Sequence, residues 1–404
     1  MRAYVAVTAA YWAFMLSDGA LRMLVLLHFN TLGFSPMQLA WLFLLYEIAG
    51  VVTNLTAGWI AARFGLASTL YGGLALQIAA LLALAQLDPG WSIPASVAFV
   101  MAVQGASGVA KDLAKMSSKS AVKLLAPKGD GALFHWVAVL TGSKNAVKGA
   151  GFFLGAALLA LAGFGPAVWG MAAILAAILA AVVLFMPAGL PAGRKDAKFS
   201  SVWSRDARIN QLSLARMFLF GARDVWFVVG IPVYFEAALT QHGAAEGSSF
   251  FLIGGFMALW IIAYGAVQAY APRLLRAKSR PEPEIIATAA HWAGYLTPLP
   301  FAMAALALIA GAPAAWLTAS LVIGLLAFGF VFAVNSSVHS YLILAFAGAE
   351  RVTMDVGFYY MANAAGRLLG TLLSGLSYQI GGLPLCLATA GALAAASWVS
   401  VRRL

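Results

Sequence analysis

One cysteine in 404 residues, Cys386, is the first absence that matters. A single thiol excludes an intrachain disulfide, a multi-thiolate metal site and thiolate capture of a soft metal within one chain. Charge is scarce too: 10% of residues are charged, against roughly 25% in soluble domains. Acid is scarcer than base, 14 residues against 25, which leaves a net charge of +11. No polar stretch outlasts the one from Pro187 to Arg208, so no soluble domain fits into the chain. A Gly-rich phosphate loop, an HExxH pair and a nucleophile elbow are also missing. The sequence therefore supports neither ATP-driven transport nor membrane hydrolysis, and no catalytic residue, metal ligand set or cofactor is expected.

What is present is apolar surface. Hydrophobic residues make up 63% of the chain, and the mean hydropathy is +0.89. A membrane-crossing helix needs about 20 apolar residues. Windows of that size give twelve spans, at 4–30, 37–62, 67–86, 93–120, 133–161, 166–186, 209–238, 248–271, 285–309, 314–343, 353–378 and 383–401. Turn signals separate them: Gly33-Phe34-Ser35-Pro36, Asp88-Pro89-Gly90, Gly163 to Pro166, Gly311 to Pro313 and Gly381-Gly382. The longest break divides the chain into residues 1–186, a linker at 187–208, and residues 209–404, six spans on each side. Met1-Arg2 leads into an apolar stretch too long for a signal peptide and lacking a small-residue cleavage site, so it is expected to stay as the first helix.

The basic residues set the topology. Sixteen of the 25 fall at the termini or in alternate loops: Arg2, Arg63, Lys123, Lys128, Arg194, Lys195, Lys198, Arg205, Arg208, Arg273, Arg276, Lys278, Arg280, Arg351, Arg402 and Arg403. The intervening loops hold none. By the positive-inside rule both termini and the central loop are expected on the cytoplasmic side of an inner membrane. The same partition removes a nucleic-acid reading of the net charge, which would need a water-facing basic patch.

The other nine basic residues lie inside spans: Arg22, Lys111, Lys115, Lys119, Lys144, Lys148, Arg216, Arg223 and Arg367. Each costs about 2.5 kcal/mol at the bilayer centre even on the low scale. Nine facing lipid would cost roughly 20 kcal/mol, more than the usual stability of a protein. They are expected to face protein or a water-filled cavity, with Lys119 near enough to the end of its span to snorkel. Lys111, Lys115, Lys119 and Lys123 recur every four residues and so share one slowly turning helix face, with Asp112 beside the first. Against the nine stand Asp18, Glu47, Asp112, Asp224 and Asp355. The surplus of cations at depth points to an anion site.

Spans 3, 6, 9 and 12 contain no basic residue. In the major facilitator arrangement, two six-helix bundles around a central cavity, those are the lipid-facing spans, so the charge map and that all-α fold agree. A weak internal repeat supports the two halves, Asp18-Gly19-Ala20-Leu21-Arg22 in span 1 against Gly221-Ala222-Arg223-Asp224 in span 7. Gly58 to Gly65 resembles the facilitator signature of the loop between spans 2 and 3, but Ala62 stands where an acid is expected.

The candidate substrate-binding set is the nine basic residues with Asn145 and His339. Arg216 and Arg223 lie two turns apart on one face, and the guanidinium fork suits phosphate or carboxylate. Lys144 and Lys148 lie one turn apart in span 5, where Gly149, Gly151 and Gly155 permit close helix approach. Pairing of these lysines with Glu47 and Asp112 is the plainer alternative. Asp18 with Arg22, and Arg223 with Asp224, read equally as structural pairs or as working groups. Proton coupling or gating falls to Asp18, Glu47, Asp112 and Asp224, the acids that neutralisation in transit would require. His28 and His291 read as local polar anchors, and Trp12, Tyr46, Trp136, Tyr341, Tyr359 and Tyr360 read as packing or cavity lining.

Several runs, taken together, resemble the ArsJ family of major facilitator permeases. They are Asp18 to Val25, Gly50 to Leu55, Ala110 to Ser117, Leu140 to Ala146, Phe220 to Val228 and Gly366 to Gly370. The likeness runs nearly end to end and weakens around Ala277 to Glu284. It implies export of 1-arseno-3-phosphoglycerate, made by a partner glyceraldehyde-3-phosphate dehydrogenase and breaking down outside to arsenate and 3-phosphoglycerate. Such a cargo carries two pentavalent oxyanions, hard ligands that Lys, Arg and hydroxyl groups hold without thiols. Another phosphorylated or polycarboxylate anion is the alternative cargo.

Overall fold

The computed structural model describes residues 2–125, 132–185, 204, 206–241, 243–275, 281–347 and 352–404. Among these the regular structure is helical, and eleven helices are long and apolar enough to cross a membrane. The eleventh, Asp355–Val401, covers 47 residues, about 70 Å of helix and twice what a bilayer needs. It leaves helical geometry at Gly381 and at Gly382, whose φ of 60° suits glycine, and there it folds into spans 11 and 12. The chain is a twelve-span, multi-pass membrane protein.

Span 1 is Arg2–Thr31, span 3 Leu66–Leu84, span 4 Ile93–Leu125, span 5 Ala132–Ala162 and span 6 Phe164–Phe185. Span 8 is Glu246–Leu274 and span 10 is Ala315–Phe346. The others are interrupted. Span 2 consists of Pro36–Leu42 and Leu44–Phe64 and opens with a capping box, Ser35 and Gln38 each bonding the other's backbone N–H. Span 9 breaks at Thr297, ahead of Pro298, which lacks an N–H to continue the ladder.

Span 7 runs Ala207–Val225, then widens into one π turn at Trp226–Gly230, then continues as Ile231–Gln241. A π turn frees backbone groups that lipid will not satisfy. Ser374 of span 11 accepts from Val229 N–H at 3.1 Å and Gly230 N–H at 3.2 Å. The thiol of Cys386 donates to the Val225 carbonyl at 3.1 Å. The lone cysteine is thus a buried helix-packing donor.

Close packing of small residues joins paired spans in each half. A methyl on Gly155 of span 5 would fall 2.1 Å from the Ala20 carbonyl of span 1. One on Gly366 of span 11 would fall 2.1 Å from the Met217 carbonyl of span 7. Span 1 on span 5 and span 7 on span 11 are therefore equivalent close contacts. The halves meet along two seams. Span 2 lies on span 11, where Gly375 packs on Pro36 and Ala40, and span 5 lies on span 8, where Gly149 packs on Ala258. The outer rim is apolar, with Ile174, Leu184 and Phe185 of span 6 and Leu308 and Ile309 of span 9 exposed, as a lipid-facing surface requires.

Several sequence expectations fall outside the described residues. They are the linker apart from Ser204 and 206–208, the basic residues Lys128, Arg276, Lys278, Arg280 and Arg351, and the side chains of Arg2, Lys119, Lys123, Trp136, Arg273 and the loop from Gly58 to Phe64 save Ile60.

Candidate functional site

Tyr46, buried in span 2, is the centre of a charged cluster. Its hydroxyl donates to Asp18 Oδ1 at 2.7 Å. The Lys111 ammonium lies 4.0 Å from its ring centroid and the Arg22 guanidinium 5.5 Å from it. An aromatic face attracts both cations.

Two carboxylates divide the surrounding cations. Glu47, fully buried, accepts from Arg22 Nη1 at 3.0 Å on one oxygen and from Arg367 Nε at 2.9 Å on the other. Arg367 Nη2 also bonds that second oxygen, so both nitrogens of its fork converge on Oε2 while Arg22 takes Oε1. Asp112 takes Lys115 at 2.6 Å and lies 4.0 Å from Lys111. Thr53 donates to Asp112 as well, and Lys115 reaches Asn54 Oδ1 at 2.9 Å. Each carboxylate thus serves two cations, and each triad keeps one positive charge. They are adjacent: a methyl on Gly50 would lie 3.8 Å from both Arg367 Nη2 and Asp112 Oδ2. Spans 1, 2 and 4 of one half and span 11 of the other contribute.

Not every expected pair forms. Asp18 and Arg22 share a helix face, yet Asp18 takes the Tyr46 hydroxyl and Arg22 takes Glu47. Arg223 and Asp224 do pair, through Nε and Oδ1, despite being neighbours in sequence. Lys148 lies 5.7 Å from the Phe152 ring, and Lys144 is partly buried one turn before it. Glu47 and Asp112 are occupied by the cations of other spans rather than by Lys148. Glu236 is a further acid within span 7, partly buried, so nine cations stand against six acids and the surplus at depth is three.

A hydrogen-bonded line connects the halves at a second place. Asn145 Nδ2 of span 5 donates to Gln268 Oε1 of span 8 at 3.4 Å. Gln268 Nε2 donates to Ser336 Oγ of span 10 at 3.2 Å, and Arg216 Nη1 donates to the same hydroxyl at 2.9 Å. Arg216 Nε donates to Asn363 Oδ1 of span 11 at 3.0 Å. Arg216 and Arg223 both lie against the Phe220 ring, at 4.1 and 4.7 Å, so the shared face read from their spacing is present. His339 is fully buried with neither ring nitrogen hydrogen-bonded.

Charge counting passed over Thr53, Asn54, Gln268, Ser336 and Asn363. Their signal was amides and hydroxyls inside apolar spans, which lipid penalises unless a partner is near. Among the described residues no three His, Cys, Asp or Glu side chains gather where they could hold a metal ion.

Two solved structures are similar over nearly the whole chain. The nucleoside transporter NupG, as a point mutant, superposes with a TM-score of 0.73 at 16% identity, covering 99% of this chain and 98% of its own. A bacterial homologue of the iron transporter ferroportin, in an inward-facing state, gives 0.73 at 12% identity, with 100% and 98% covered. At such identities the likeness shows the fold, which is that of the major facilitator transporters: twelve helices in two bundles. No protein-family profile matches the sequence, and no curated protein matches it either.

Proposed function

We propose that the chain is a secondary active permease for a multiply charged anion, working by alternating access around the cluster at Tyr46. The observation that carries this is the excess of cations there. Arg22, Lys111, Lys115 and Arg367 share Glu47 and Asp112, and with Asp18 on the Tyr46 hydroxyl four positive charges meet three negative ones. An oxyanion entering between the bundles meets donors from both of them. The Glu47–Arg367 contact crosses the seam that must open, so cargo and gate compete for the same guanidinium.

The cargo we assign is 1-arseno-3-phosphoglycerate, exported across the cytoplasmic membrane, which confers resistance to arsenate. The resemblance to the ArsJ permeases supports this, as do the hard cationic ligands and the engagement of the only thiol, buried, with the Val225 carbonyl. A glyceraldehyde-3-phosphate dehydrogenase is the functional partner that supplies the ester, and both termini lie in the cytoplasm. Growth of an arsenate-sensitive host tests the assignment. Resistance should require this chain and the dehydrogenase together. Resistance from the chain alone, or none from the pair, would return the cargo to another phosphorylated or polycarboxylate anion.

A further inference from the structure

The C-terminal half contains a buried cation without a counter-charge. Arg216 is 4% exposed. Its partners are Asn363 Oδ1, the Ser336 carbonyl and hydroxyl, and the rings of Phe220 and Tyr359, all of them neutral. Among the described residues no carboxylate lies within 4.0 Å of it, and the two N–H groups of Nη2 have no acceptor. The contrast with the Tyr46 cluster is sharp, since Arg22, Lys111, Lys115 and Arg367 each have a carboxylate.

Unused polar groups lie on the two spans that hold this guanidinium, 10 and 11. Asn335 and His339 lie one turn apart on span 10, both fully buried, on a face to one side of the Ser336 that holds Arg216. No side-chain nitrogen or oxygen of either is hydrogen-bonded. The Tyr359 hydroxyl, with Ser340 close by, makes no hydrogen bond of ordinary geometry, and its ring lies 5.1 Å from the Arg216 guanidinium. Buried polar groups are nearly always satisfied, and a buried charge without compensation is costlier still. The imidazole and the phenol each have a donor to offer near the Arg216 charge, and the amide lies one turn from the imidazole on span 10.

We propose that Arg216, Asn335, His339 and Tyr359 form a second anion site, holding one phosphate-like or carboxylate group of the cargo. The inference rests on the permease reading and adds to it: the cargo has two anionic ends, one for the Tyr46 cluster and one for Arg216. The second site also touches the seam, because Ser336 Oγ bonds both Arg216 and Gln268, and Gln268 bonds Asn145 of the other half. Filling the Arg216 site draws on the donors that maintain this line.

The test is calorimetric binding of inorganic phosphate to the purified full chain in detergent, beside its phosphate-free Tm. His339→Phe and Asn335→Leu should weaken phosphate binding at least tenfold while leaving the phosphate-free Tm unchanged or higher, because each removes a polar group that lacks a partner. A merely structural role predicts the reverse, a lowered Tm with binding intact, and would overturn the proposal. Arg216→Lys, which keeps the charge, should retain weakened binding, whereas Arg216→Gln should abolish it at this site. Wild-type protein that takes up no phosphate, or takes it up with the same affinity in all four variants, also overturns it. Phosphate binding that depends on these residues in a protein that moves no arsenic would leave the site standing and reject the cargo.

Discussion

Arg367 Nε and Glu47 Oε2 lie 2.9 Å apart although 320 residues separate them in sequence. The contact joins the two bundles at the depth where the charged cluster sits. Removing one partner of a buried ion pair leaves the other charge uncompensated, at a cost of about 3–5 kcal/mol. Glu47→Gln, which strands both Arg22 and Arg367, should lower the Tm markedly, and Arg367→Gln, which leaves Glu47 paired with Arg22, should lower it less. The double variant should lose less than the sum, with a coupling of about 1–3 kcal/mol. Strictly additive losses would mean that the two residues act independently.

The seam between spans 2 and 11 offers a direct test of movement. A Cβ built on Gly50 lies 3.8 Å from Ala364 Cβ, and disulfides favour a Cβ separation of about 3.8 Å. Gly50→Cys with Ala364→Cys should cross-link on oxidation and arrest transport, and reductant should restore it. Cys386 is buried and should not interfere. Unchanged transport by the oxidised protein would show that the bundles do not separate at this level.

Lys144 lies one turn from Lys148 on span 5, partly buried. Lys144→Ala should abolish transport without reducing the amount of protein in the membrane. Normal flux in that variant would remove Lys144 from the substrate path.

Helix packing makes a separate prediction about stability. Gly155→Val forces its side chain against the Ala20 carbonyl, while a methyl at Gly170 meets nothing within 4 Å. Overpacking of this kind costs about 1–3 kcal/mol or more. The Tm in detergent should fall for Gly155→Val and stay unchanged for Gly170→Ala. Equal effects would contradict the close approach of spans 1 and 5.

The twelve spans were legible because lipid imposes one dominant rule, long apolar runs ended by turn residues. Gly163, Gly311 and Gly382 all have positive φ at the expected turns. Inner breaks were harder to read. The π turn at Trp226–Gly230 depends on Ser374 and Cys386, which lie far away in sequence. Which residues carry charge in the membrane was plain from the sequence, but their partners were not. Asp18 and Arg22 face the same way, yet tertiary packing gives Arg22 to Glu47 and Asp18 to Tyr46. Spacing along one helix sets which side chains share a face. It does not say which neighbouring helix arrives there.

The central claim is that a cationic cluster at the bundle interface moves a multiply charged arsenate ester. Its most direct test is arsenic accumulation in everted membrane vesicles containing the protein. The vesicles would be supplied with arsenate, glyceraldehyde 3-phosphate, NAD and the dehydrogenase, each omitted in turn. The account predicts uptake that needs every component and is lost in Arg22→Gln and Lys111→Gln vesicles with normal protein content. Uptake of arsenate alone, or full uptake by either variant, would contradict it.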